Sequence, residues 1–127
     1  MNKICTSIEQ SQKLMKLGLD INTADMYWEQ IDQTFVPNVI LIKGVEHEYL
    51  AWSLSALLEL IPLHINIRIF EDGTFGFSKA ANEEAYIAYY TKYYENGFPA
   101  FLKTIIGNTA IDAVFEMICW LLKNKKI

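Results

Sequence analysis

Ile65-Asn66-Ile67-Arg68-Ile69-Phe70-Glu71-Asp72-Gly73-Thr74-Phe75-Gly76-Phe77-Ser78 is the stretch on which the fold turns. Ile65, Ile67 and Ile69 alternate with Asn66, Arg68 and Phe70, and Phe75 and Phe77 alternate with Gly76 and Ser78, the two-residue period of half-buried strands. Glu71 to Thr74 reads as a turn in which Asp72-Gly73 supplies a residue tolerant of positive φ, so an antiparallel hairpin is predicted. Its isoleucine face needs a cover of helices, while the opposite face can meet water.

On the N-terminal side of the hairpin, a helix is predicted between Ala51 and Leu60. Leu50, Leu54, Leu57, Leu58 and Ile61 form its broad apolar side, Trp52, Ser55, Ala56 and Glu59 the other, and Pro62 ends it. Val39 to Ile42 is an apolar run read as a strand stopped by Gly44, and Thr34 to Val36 is extended ahead of Pro37. Asn22 or Thr23 can cap a short helical turn containing Ala24, Met26 and Tyr27. A first helix opens at Thr6 or Ser7, with Thr6 and Glu9 at capping-box spacing, and closes at Gly18 with Leu19 as the hydrophobic contact beyond it.

On the C-terminal side, Asn82 followed by Glu83 and Glu84 predicts a helix to about Tyr94, with Tyr86, Tyr89, Tyr90, Tyr93 and Tyr94 at three- and four-residue spacing. Asn96-Gly97 breaks it. Pro99 opens a short helical segment carrying Phe101, Leu102, Ile105 and Ile106, closed by Gly107. Asn108 or Thr109 then starts a last helix whose apolar side is Ile111, Val114, Phe115, Ile118, Leu121 and Leu122. The expected architecture is α+β, four or five helices packed on a small antiparallel β-sheet or hairpin, in one domain spanning residues 1 to 127.

Composition agrees with a globular domain: 127 residues, 52% hydrophobic and 20% charged. A domain of this size leaves about 6,900 Å² exposed and needs no covalent staple. The formal charge of -4, from 15 acidic and 11 basic residues, gives no general attraction for polyphosphate. Lys123, Lys125 and Lys126 are the only local basic cluster, and they complement the dipole at a helix end. Arg68, Phe75 and Phe77 offer a stacking surface without the positive groove that single-stranded nucleic acid requires. No nucleic-acid partner is expected. Neither a leader nor a run of eighteen apolar residues is visible, and two cysteines far apart in sequence fit thiols in a reducing compartment. A cytoplasmic protein without a membrane partner is the resulting expectation.

Three stretches carry a resemblance. Thr23-Ala24-Asp25-Met26-Tyr27-Trp28, then Ala51-Trp52-Ser53-Leu54-Ser55-Ala56-Leu57-Leu58-Glu59-Leu60-Ile61-Pro62, then Asp112-Ala113-Val114-Phe115-Glu116-Met117-Ile118-Cys119-Trp120-Leu121-Leu122 resemble, in this order, a family of small uncharacterised proteins found in gut Bacteroidales and their phages or mobile elements. The resemblance implies a phage-linked accessory protein and brings no activity or catalytic residue with it. The family's ending looks like a helix followed by glycine, tyrosine and isoleucine, whereas this chain ends Lys125-Lys126-Ile127, which argues against the extreme C-terminus as a fixed ligand contact.

No motif announces catalysis. Ser53 and Ser55 lack the glycine-flanked nucleophile pattern, and Cys119 sits in an apolar helix as a small hydrophobe. Glu46-His47-Glu48, if extended, points His47 away from both glutamates, and His47 and His64 fall in no ligand spacing, so neither a metal nor a cofactor is expected. Asp25 before Met26, Tyr27 and Trp28 can line a ligand pocket or serve as a turn residue. Five tyrosines in nine positions exceed what one buried helical face needs, so Tyr89, Tyr93 and the nearby Phe98 join Asp25 and Trp28 as contact candidates. The leading expectation is a non-catalytic interaction protein binding another protein or a second copy of itself. The alternative is a small-molecule binder or enzyme built on Asp25, His47 and His64.

Overall fold

Ser7 starts the first helix, α1 (Ile8–Lys16), through a capping box: its side chain accepts from the Gln10 amide while the Gln10 side chain accepts from the Ser7 amide. Gly18, at φ +96°, ends it, with Gly18 N donating to Met15 O and Leu19 N to Leu14 O, the paired bonds of a Schellman turn. The computed structural model describes residues 3–68, 71–79, 85–93 and 99–127, with backbone alone at 65–68, 71–72, 93 and 99–100.

After α1 a single 3-10 turn, Ile21–Thr23, leads into strands β1 (Met26–Ile31), β2 (Thr34–Val39) and the short β3 (Leu50–Ala51). Helix α2 (Leu54–Leu60) follows, then β4 (His64–Arg68), β5 (Glu71–Lys79), β6 (Tyr86–Tyr93), β7 (Pro99–Gly107) and helix α3 (Ala110–Lys123). The strands form two antiparallel sheets, ordered β2-β1-β3 and β4-β5-β6-β7.

The expected four or five helices on one small sheet or hairpin are thereby corrected to three α-helices among the described residues and two separate sheets. The largest error concerns the tyrosines. Tyr86 to Tyr93 is a central strand, in which Tyr86, Ala88 and Tyr90 face the helices and Ile87 and Tyr89 face away. Aromatic and β-branched side chains pack well on a pleated surface, and pairing on both edges outweighs a helical spacing. Likewise Pro99 to Gly107, read as helical, is the edge strand β7, rich in β-branched Thr104, Ile105 and Ile106. Met26 and Tyr27 belong to β1, and the turn before them is capped by Asp20, not by Asn22 or Thr23. The predicted hairpin is present as β4 and β5, but Glu71 to Gly73 already pair with β4 instead of forming the turn.

Helix α3 is the organising element. Capped by Thr109, whose hydroxyl accepts from the Asp112 amide, it buries Ile111, Val114, Phe115, Met117, Ile118 and Leu121 against β6, β7 and α2. Each such side chain contributes roughly 1.5–3 kcal/mol on leaving water. Leu14 of α1, Leu57 of α2, Trp52 and Tyr90 complete the same core. Tyr90 donates its hydroxyl to Pro62 O at 2.7 Å, and burial raises its phenol above the usual range.

A smaller core of Cys5, Met26 and Ala51, with Trp28 packed on it, lies against the three-stranded sheet. Thr6 ties the two cores together. Fully buried, it donates its amide to Trp52 O, accepts from the Trp52 amide and the Trp28 indole, and pairs its hydroxyl with Ser11. Every polar group of Thr6 is thus satisfied, as burial requires. The N-terminal segment is also fixed to α3, because Lys3 and Gln10 both donate to Asp112 Oδ1 at 2.8 Å.

Candidate functional site

The chain leaves the β2 ladder at Ile40, whose amide donates to Asp25 O at 2.9 Å, and rejoins the sheet at Tyr49, whose carbonyl accepts from the Trp28 amide at 2.7 Å. Gly44, at φ +90°, reverses the intervening loop in the left-handed conformation glycine adopts without cost. His47 stacks on Tyr27 with ring centroids 3.8 Å apart and planes 17° from parallel, and Tyr49 meets Phe35 edge to face at 5.3 Å. The loop is therefore pinned at both ends. Within it Leu41 is 90% exposed, Ile42 69% exposed and Val45 more than half exposed.

This loop forms one wall of a cleft of about 1340 Å³; α2 and the 3-10 turn form the other. Ile21, Ile40, Leu50, Ala56 and Leu60 give the cleft an apolar floor, whereas Glu46, Glu48, Glu59 and Asp25 bring four carboxylates against the single ammonium of Lys43. Helix α2 presents this surface because its first turn is locked: Ser53 is its cap, accepting from the Ala56 amide at 3.2 Å, and Asp25 accepts from both the amide and the hydroxyl of Ser53.

The sequence candidates separate in space. Asp25 and His47 both line the cleft, but Asp25 has its two oxygens engaged by Ser53 and works as a brace between β1 and α2. Trp28 donates its indole to Thr6 O at 2.9 Å and packs on the smaller core. His64 stands on β4, with Nδ1 3.2 Å from the Thr74 hydroxyl, and does not line the cleft. Tyr89 lies on the uncovered face of the four-stranded sheet, its ring over Gly76 and edge to face with Phe101 at 5.4 Å. Tyr93 is described in its backbone alone, paired with Pro99, and Phe98 lies outside the described residues.

Neither cysteine is among the described residues that line the cleft. Burial raises the Cys5 thiol, with Asp25 adding to the effect against the opposing Lys3 charge, and burial pushes the Cys119 thiol up to about 11. Both cysteines are free and buried. Among the described residues no group of histidine, cysteine and carboxylate side chains can hold a metal ion. Tyr49, outside the cleft floor, has its phenol raised by a hydrogen bond with Glu48 and by that carboxylate's charge. The arrangement, an apolar floor with carboxylates on both walls, is suited to holding an occupant.

The exposed Leu41 and Ile42 escaped sequence reasoning, which placed Val39 to Ile42 in a strand. One signal was available: Pro37 within β2 marks an edge strand, and residues following it on an edge have one neighbour instead of two. Comparison with protein families, with curated proteins and with solved structures returns no match, so the cleft is interpreted from its own geometry.

Proposed function

We propose that this is a small, non-catalytic interaction protein that receives a segment of another protein in the cleft between α2 and the loop from Ile40 to Tyr49. The observation that carries the reading is the apolar lining of the cleft, in which Ile21 and Val45 are each more than half exposed beside Ile40, Leu50 and Leu60 while the loop's ends are held by hydrogen bonds and ring stacking. Contiguous apolar surface of this kind marks contact sites. A cleft of 1340 Å³ is larger than the roughly 300–1,000 Å³ of small-molecule pockets, which favours a polypeptide occupant over a metabolite.

The resemblance of the three quoted segments to the Bacteroidales and phage family supports an accessory role linked to a mobile element. Free thiols at Cys5 and Cys119 are compatible with a cytoplasmic setting. No helix among the described residues is long and apolar enough to cross a membrane. The test is selection of a random peptide library against the protein, with counter-selection on the Ile21→Asp/Val45→Asp variant, two exposed residues that line the cleft, followed by amide chemical-shift mapping. Selected peptides should perturb Ile40 to Leu50 and Leu54 to Leu60. Peptides that perturb only other surfaces, or no selected peptide at all, refute the proposal.

A further inference from the structure

Resting on that reading of the cleft, we infer that its occupant is a basic, apolar segment: a stretch of a partner protein whose leucine-like side chains enter the floor and whose lysines or arginines meet the rim. Charge complementarity carries the inference. Glu46 and Glu48 project from the loop and Glu59 from α2, all exposed, so carboxylates stand on both walls of one apolar cleft. Among the described residues Lys43 is the only lysine or arginine lining it. Asp25 adds a fourth negative charge at the base while bound to Ser53.

An acidic segment entering this cleft would set like charges against both walls, and a purely apolar one would leave the carboxylates partly desolvated without a partner. A basic amphipathic segment satisfies floor and rim together, as a helix or strand laid in a groove does elsewhere. Polyphosphate is repelled by the same rim. A second copy of this chain is the rival occupant, since Lys123, Lys125 and Lys126 form its own basic cluster.

The experiment follows binding of a fluorescent leucine–lysine amphipathic peptide by anisotropy, beside leucine–glutamate and serine–lysine peptides of equal length. The protein is used as wild type, as Glu46→Gln/Glu48→Gln/Glu59→Gln, and as Glu9→Gln/Asp32→Asn/Glu116→Gln, which removes the same charge away from the cleft. All six sites are exposed, and circular dichroism verifies that both variants are folded. The leucine–lysine peptide should bind best, with added salt weakening it, and the cleft variant should lose about tenfold in affinity while the remote variant loses much less.

Equal losses in the two variants would show a general attraction to the acidic protein and overturn the inference. So would equal binding of the leucine–glutamate or serine–lysine peptide. Concentration-dependent dimerisation abolished by Lys123→Gln/Lys125→Gln/Lys126→Gln would assign the cleft to a second copy and likewise overturn it. If library selection yields cleft-binding peptides without basic residues, this inference fails while the proposed function stands; if nothing selected maps to the cleft, both fail.

Discussion

Two glycines of the four-stranded sheet should respond in opposite ways to the same substitution. A Cβ placed on Gly107 falls 2.4 Å from Ala113 N and 2.8 Å from Ala113 Cα, whereas one placed on Gly76 falls 2.2 Å from the Tyr89 ring. Ordinary contact requires about 3.5–4.0 Å, so Gly107→Ala must open the junction between β7 and the first turn of α3 by roughly 1 Å. Backbone has no rotamer with which to yield, and α3 cannot recede without lifting Ile111, Val114 and Phe115 from the core. Overpacking of this kind costs about 1–3 kcal/mol or more. Gly→Ala otherwise favours the folded state by about 0.4–1 kcal/mol through the unfolded chain. Gly107→Ala should therefore lose roughly 1–2 kcal/mol net. Gly76→Ala can be accommodated by swinging the end of Tyr89 aside, and should stay within about 1 kcal/mol of wild type; in a Tyr89→Ala background it should become stabilising. Urea denaturation of wild type, Gly107→Ala, Gly76→Ala, Tyr89→Ala and Gly76→Ala/Tyr89→Ala supplies the numbers. A Gly107→Ala variant as stable as wild type, or a Gly76→Ala cost unchanged by removing Tyr89, would refute the reasoning.

Further outcomes can be checked on the same purified protein. Tyr90→Phe leaves Pro62 O without its donor and should cost about 1–2 kcal/mol by urea denaturation, with no change in far-ultraviolet circular dichroism. Asp25→Ala removes the acceptor for the Ser53 amide and hydroxyl and should cost more than Asp25→Asn, which keeps one oxygen, as measured by thermal midpoints. Burial opposes ionisation of Asp112, but hydrogen bonds from Lys3, Gln10 and Thr109 outweigh it and hold the carboxyl below its usual range. Because the folded-state value is depressed, its stabilisation is present above the unfolded value near pH 3.9 and is lost as pH falls. The stability advantage of wild type over Asp112→Asn should accordingly be full at pH 6 and shrink below about pH 4. Both thiols, buried and raised, should resist a disulfide-exchange reagent at pH 7.5 until denaturant is added; fast labelling of the native protein would contradict their placement.

Local hydrogen-bonding chemistry was the part of this fold most readable in advance. Gly18 ends α1 where the sequence put it, and Ser7 and Thr109 were each one of two caps named, because a cap depends on residues a few positions away; the capping box itself joins Ser7 to Gln10 and not Thr6 to Glu9. The tyrosines misled because Tyr86, Tyr89, Tyr90 and Tyr93 satisfy a helical spacing while Tyr86, Ala88 and Tyr90 also satisfy a strand period. Only pairing with β5 and β7, the neighbouring strands on either side, decides between them. Asp25 was legible as a turn or pocket residue, but its partner Ser53 lies 28 positions on, so its bracing role was not. Leu41 and Ile42 look like core in composition, but the chain leaves the β2 ladder before them and carries them into the exposed loop.

The placement of α3 has a consequence for how the polypeptide is made. Both sides of the fold lean on this helix: β6, β7 and α2 pack on it, and Lys3 reaches across 109 positions to Asp112. While a ribosome is still adding residues before position 110, the earlier strands and helices have no central element to close on. Their isoleucines and leucines then wait in water for a span set by translation speed, a fraction of a second to a few seconds per ten residues. Chaperones that shield apolar nascent chain should therefore matter most for this protein just before α3 emerges, and slowing synthesis upstream of Ala110 should lower its soluble yield.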